Sequence, residues 1–172
     1  MWLEYHSFSE EYSDYLYNRT YIQFLKDIET VKRKKADNYI FTMDDGHIGQ
    51  IKACNILKER GHQAILSIAT SFIGSEAKYM TWDDVIELSK FHLISNHTVS
   101  HTPLVLLPAE EIRKELTDAQ NIIEGYTGVK PIYFTPPYNN IGNDPWIRNI
   151  LVEEYGFTIL ERRQTMMKDG DL

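Results

Sequence analysis

The sequence contains a single cysteine, Cys54, so no internal disulfide framework can form. Cys54 falls in an apolar helical stretch and is expected in the core. No apolar run approaches the roughly 18 residues that a membrane-spanning helix needs. The N-terminus is acidic and aromatic. It lacks the basic and then apolar regions of a secretory signal, which makes a cytoplasmic location the expectation. Positive charge is also in short supply: 18 Lys and Arg face 25 Asp and Glu, for a formal net charge of −7. That balance argues against nucleic acid as a partner, because attraction to phosphates needs a basic face. The one dense basic run, Lys32-Arg33-Lys34-Lys35, reads as the solvated end of a helix.

The 172 residues, 42% hydrophobic and 25% charged, suit one globular domain with a real core. Residues 1–19 have weak periodicity, with Ser9 or Ser13 as a possible helix start. Residues 1–35 are read as an N-terminal helical extension, 36–161 as the core of the domain and 162–172 as a polar tail. Apolar spacing predicts a helix over Tyr21–Lys35, with Ile22, Phe24, Leu25, Ile28 and Val31 facing inward. Strands follow at Tyr39–Met43, Gln63–Ala69, Phe91–Asn96, Pro131–Phe134 and Phe157–Leu160. Between them lie helices: Ile48–Arg60 stopped by Gly61, a helix through Lys90 opened by a Thr81/Asp84 capping box, one from Pro108 to Gly125, and one from Asp144-Pro145 to Gly156. Alternating strands and helices imply an α/β fold, an open doubly wound sheet or a barrel, with parallel strands. In both, sites form at the C-terminal ends of strands.

Three motifs fall at such ends. Tyr39-Ile40-Phe41-Thr42-Met43 runs into Asp44-Asp45-Gly46, where strand alternation should aim the two carboxylates differently. One can then hold a metal while the other faces a substrate. A second apolar run leads into His97-Thr98-Val99-Ser100-His101. Its two imidazoles share a face if the backbone makes one helical turn, and with a carboxylate they form a common catalytic metal set. The third motif, Thr135-Pro136-Pro137-Tyr138, is a rigid loop. His6, His62 and His92 are read as structural or solvent-facing. The many Tyr residues, with Trp82 and Trp146, are read as core and surface filler.

These motifs, in this order, resemble the polysaccharide deacetylases of carbohydrate esterase family 4. That family carries T-F-D-D-G, then H-[S/T]-x-x-H, then R-x-P-Y. The resemblance spans roughly Tyr39 to Leu160 and implies an incomplete, distorted (β/α) barrel. It implies Asp44 as general base, Asp45, His97 and His101 as ligands of a divalent metal, and the backbone N–H of Tyr138 as an oxyanion donor. The metal is expected to be zinc, with cobalt, nickel or manganese as substitutes. The implied reaction is removal of an N-acetyl group from an amino sugar, so a carbohydrate is the expected partner.

Two positions depart from the family. Thr135 stands where the family has Arg, and no Leu-x-His follows the strand at Phe157–Leu160, although the family's general acid is that His. His47, beside Asp45-Gly46, is the nearest substitute acid in the sequence. The departures leave a second reading open, a metal- and carbohydrate-binding pseudo-enzyme.

Overall fold

Six parallel strands form one sheet in the order β1-β4-β5-β6-β7-β8. The computed structural model describes residues 2–12, 15, 17–33, 39–143 and 145–161. The strands are β1 (Trp2–Tyr5), β4 (Ile40–Asp44), β5 (Ala64–Ile68), β6 (Leu93–Asn96), β7 (Tyr133–Phe134) and β8 (Thr158–Ile159). A doubly wound sheet reverses its strand order at a switch point. Here the order never reverses, so of the two architectures compatible with the alternation, the barrel type is the one formed. β5 is buried at every position, as a strand covered on both faces must be, and its sequence Ala-Ile-Leu-Ser-Ile is nearly continuous in apolar residues.

The N-terminus corrects the sequence reading. Residues 1–35 are not simply a helical extension, because β1 pairs in register with β4 from Trp2↔Ile40 to Tyr5↔Met43. Ser9 does not open a helix; it ends β2 (Ser7–Ser9), which pairs with β3 (Asn18–Thr20) in a small parallel sheet. Ser13, Lys34, Lys35, Asp144 and the tail at 162–172 lie outside the described residues.

Helix α1 (Tyr21–Arg33) also presents a different face from the one expected. Ile22 is 64% exposed, while Tyr21, Phe24, Asp27, Ile28 and Val31 are buried. A carboxylate on the inward stripe is tolerated because it is fully paired. Asp27 accepts from the Tyr5 hydroxyl at 3.0 Å and from the Arg19 guanidinium at 2.9 and 2.6 Å. This buried knot ties α1 to the end of β1.

The other helices are α2 (Gln50–Glu59), α3 (Trp82–Ser89), α4 (Ala109–Thr127) and α5 (Pro145–Asn149). Cys54 is fully buried on α2, as expected, and burial pushes its thiol up to about 12. The Thr81/Asp84 capping box opens α3 as predicted. Helix α4 runs through Gly125 and stops at Gly128, whose φ of 71° supplies the left-handed cap. Pro108 is the residue before its first turn rather than the first helical residue. Beyond α5 the chain continues as one π-type turn, Ile150–Glu154, which with Ile147 buries Ile150 and Leu151.

Candidate active site

The C-terminal ends of β1, β4, β6 and β7 converge on one cavity of about 330 Å³. Its walls include Asp44 at the end of β4 and Asp45 beyond it, His97 and His101 after β6, Thr135 and Tyr138 after β7, and Glu4 of β1 with His6 just after that strand. The buried side-chain amide of Gln50 ties two of these ends together, donating to the carbonyls of His6 and Asp44.

The β4 turn separates the two carboxylates. Asp45 adopts φ 75° and Gly46 φ 77°, so the chain leaves the strand sharply after Asp44. A Cβ on Gly46 would meet the tip of Ile73, its Cδ1, at 2.5 Å, and the positive φ is what favours glycine at this position. Asp44 stays buried, with one carboxylate oxygen lacking a hydrogen-bond partner. Burial, and then the neighbouring Glu4 carboxylate, push its carboxyl up to about 6.

The histidine loop is not helical, contrary to the expectation of one turn. Thr98 and His101 both take positive φ, 66° and 59°. Side chains hold this loop in place. Asn96 accepts from the Thr98 N–H at 2.9 Å, and the Thr98 hydroxyl accepts from the His101 N–H at 3.0 Å. Glu115, reaching from α4, accepts from the N–H groups of Val99 and Ser100, both at 2.8 Å. The imidazoles therefore meet by loop geometry, their Nε2 atoms 3.1 Å apart.

Asp45 Oδ1 completes a triangle, 3.4 Å from His97 Nε2 and 3.2 Å from His101 Nε2. This oxygen is buried and has no hydrogen-bond partner. Ligands about 2.1 Å from a tetrahedral ion lie about 3.4 Å from one another, so the triangle has the size of one face of a zinc coordination sphere. Two imidazoles and a carboxylate are also donors that zinc favours. His97 Nδ1 lies 2.6 Å from the Thr135 carbonyl, which assigns a proton to Nδ1, so the neutral form of the ring keeps its lone pair on Nε2. Burial raises the Asp45 carboxyl, but the imidazoles of His97, His6 and His101 outweigh it and hold it below the usual range. Burial and then His97 pull His101 down to about 4, so at neutral pH it is an unprotonated donor.

His47 does not line the cavity. Its Nδ1 accepts from the Gly49 N–H at 3.2 Å, and its ring packs 6.5 Å from that of Tyr79. His6, read from the sequence as structural or solvent-facing, does line it. Its Nε2 lies 3.6 Å from Glu4 Oε1, and ligand atoms of Glu4, His6 and Asp44 all lie within 4.8 Å of one another. The signal for His6 was the alternation of buried Leu3 and Tyr5 around Glu4, a short edge strand ending at a histidine. Tyr138 has φ 56° at the loop tip, and its ring packs 4.8 Å from that of His101. His62 and His92 lie away from the cavity, His62 packing on Phe41 and His92 accepting from the Ala64 N–H at 3.0 Å.

The family model for polysaccharide deacetylases matches residues 31–158. The peptidoglycan-N-acetylmuramic acid deacetylase PdaC of Bacillus subtilis is 32% identical over 91 residues, which are 52% of this chain and 18% of that protein. A polysaccharide deacetylase from Bacillus cereus matches the fold with a TM-score of 0.76 at 14% identity, covering 91% of this chain and 55% of that one. The Streptococcus pyogenes deacetylase PplD also gives 0.76, at 16% identity, covering 91% of this chain and 80% of its own. This chain therefore spans a small part of PdaC and about half of the Bacillus cereus protein. The chain belongs to the polysaccharide deacetylase family, and its parallel sheet is the incomplete, distorted (β/α) barrel of that family.

Proposed function

We propose that this protein is a metal-dependent hydrolase that removes an N-acetyl group from an amino sugar within a polysaccharide, oligosaccharide or glycan precursor. The observation that carries this reading is the 3.1–3.4 Å triangle of Asp45, His97 and His101 beside the buried Asp44 carboxylate. PdaC bears the name of an enzyme acting on an N-acetylated amino sugar of peptidoglycan, which supports the same substrate class.

An acetamide is an unactivated amide. Its hydrolysis needs an activated water, a place for negative charge on the carbonyl oxygen and a proton for the departing amine. Asp45, His97 and His101 would hold a divalent cation, zinc by donor type, which when bound supplies a Lewis acid and a water of lowered pKa. Asp44 accepts the proton of the attacking water. The backbone N–H of Tyr138, on its left-handed loop, donates to the oxygen that gains charge; such a donor contributes about 3 kcal/mol. His6, rather than His47, is the residue placed to return a proton to the amine, because it shares the cavity with Asp44. The cavity opens between aromatic rings, among them Tyr15, Phe72, Tyr79 and Tyr138, which suits the apolar faces of a sugar.

The test is acetate release from N-acetylglucosamine oligosaccharides by zinc-loaded and metal-stripped protein. Turnover by the loaded form alone, lost in Asp44→Asn without loss of bound zinc, supports the reading. Zinc bound at one equivalent with no acetate from any acetylated amino sugar overturns it in favour of a carbohydrate-binding pseudo-enzyme.

A further inference from the structure

Asp44, Ser67 and Ser95 stand side by side across three strands. The registers pair Asp44 with Ser67 between β4 and β5, and Ser67 with Ser95 between β5 and β6. Thr135, one residue beyond β7, closes the row. Its hydroxyl lies 2.8 Å from Ser67 Oγ and 3.0 Å from Ser95 Oγ. Ser67 is the register partner of Asp44, and its side chain opposes the rise of the Asp44 carboxyl. Ser67 and Ser95 are fully buried, and Asp44 and Thr135 nearly so.

The proton count orders this row. An ionised carboxylate only accepts, and each hydroxyl has one proton to give. Ser67 therefore donates to Asp44 and accepts from Thr135, and Thr135 accepts from Ser95. Every hydroxyl proton is used, and each bond polarises the next in a buried, low-dielectric setting. Without Thr135, Ser67 loses the donor that fixes its rotor, and the Asp44 carboxylate loses its orientation.

Thr135 occupies the position where the resembling family has an Arg. We propose that Thr135 is the positioning residue of Asp44, acting through Ser67, so that a chain of three buried hydroxyls orients the base where the family uses a guanidinium. The proposal rests on Asp44 being the base of the proposed hydrolysis. The side chain of Thr135 and its carbonyl have separate tasks, since the carbonyl holds His97 at 2.6 Å and remains in any side-chain variant.

The experiment compares zinc-loaded wild type, Thr135→Val and Thr135→Ser. Valine keeps the shape and removes the hydroxyl; serine restores it. Thr135→Val is expected to lower kcat by about tenfold or more, with KM and zinc affinity unchanged and most of kcat recovered in Thr135→Ser. Unchanged kcat in Thr135→Val, or a kcat loss that tracks lost zinc, overturns the proposal. A second readout needs no turnover. The Tm shifts of Thr135→Val and Asp44→Ala should be less than additive in the double variant, because both interrupt one chain. Additive shifts overturn the relay even in an active enzyme. An inactive wild type with coupled shifts would overturn the hydrolase reading and leave the relay standing.

Discussion

His97 and Thr135 are joined by a 2.6 Å contact between the Nδ1 atom of one and the carbonyl oxygen of the other. The contact turns the Nε2 lone pair of His97 toward His101 and Asp45, and three electron-rich atoms then face one another at 3.1–3.4 Å. Such a group is stabilised by a shared cation. Zinc should therefore raise the Tm of the wild type, and a chelator should lower it again. Asp45→Ala and His101→Ala should abolish both shifts, as read by differential scanning calorimetry. A zinc response that survives in Asp45→Ala would place the ion elsewhere.

Glu115 is not one of the three proposed zinc ligands but holds the loop that carries two of them, through the N–H groups of Val99 and Ser100. Glu115→Ala frees both donors and relaxes the positive-φ residues Thr98 and His101. Zinc affinity should fall by about 10- to 100-fold, the usual effect of losing an outer support. Glu115→Gln keeps an acceptor oxygen and should fall between the two. Titration calorimetry reads the difference.

The turn after Asp44 depends on Gly46. Gly46→Ala forces a side chain into φ 77° and brings its Cβ to 2.5 Å from Ile73 Cδ1. The conformational part should cost about 1–3 kcal/mol. The steric part is separable, because Ile73→Val removes the offending methyl. The double variant should then recover part of the loss in urea unfolding, although Ile73→Val alone is destabilising. Equal stability of Gly46→Ala and wild type would contradict this account.

His92 gives the fold a dependence on pH. Burial lowers its pKa below the ordinary value of 6.5, and its unprotonated Nδ1 accepts from the Ala64 N–H at 3.0 Å. A base whose pKa is lower when folded takes up protons on unfolding, so the unfolded state gains as pH falls through about 6.5. The contribution of His92 to stability should therefore fall between neutral pH and pH of about 5.5. His92→Asn, whose Oδ1 can accept the same bond without titrating, should lose less Tm over that range than the wild type.

Much of the architecture was legible in the chain itself. β5 and β6 are short apolar runs bounded by polar turns, and α3 announces itself by Thr81 and Asp84. These signals are local: side-chain periodicity and caps act within a few residues. The stop of α4 was misread because Gly125 is tolerated inside a helix, whereas Gly128 supplies the left-handed φ that ends one. The face of α1 was misread because Asp27 looks polar until Tyr5 and Arg19 are seen to pair with it.

By itself, the sequence determined the alternation of strands and helices and placed Asp44, Asp45, His97 and His101 at strand ends, since each motif occupies one stretch of chain. Only the tertiary structure decided that β1 joins the sheet beside β4 and brings His6 and Glu4 to Asp44. The same holds for the hydroxyls of Ser67, Ser95 and Thr135, which form a row only when three strands lie in register. The physical reason is that strand pairing is set by which distant segments bury each other's faces and satisfy each other's backbone, and no local spacing encodes that choice.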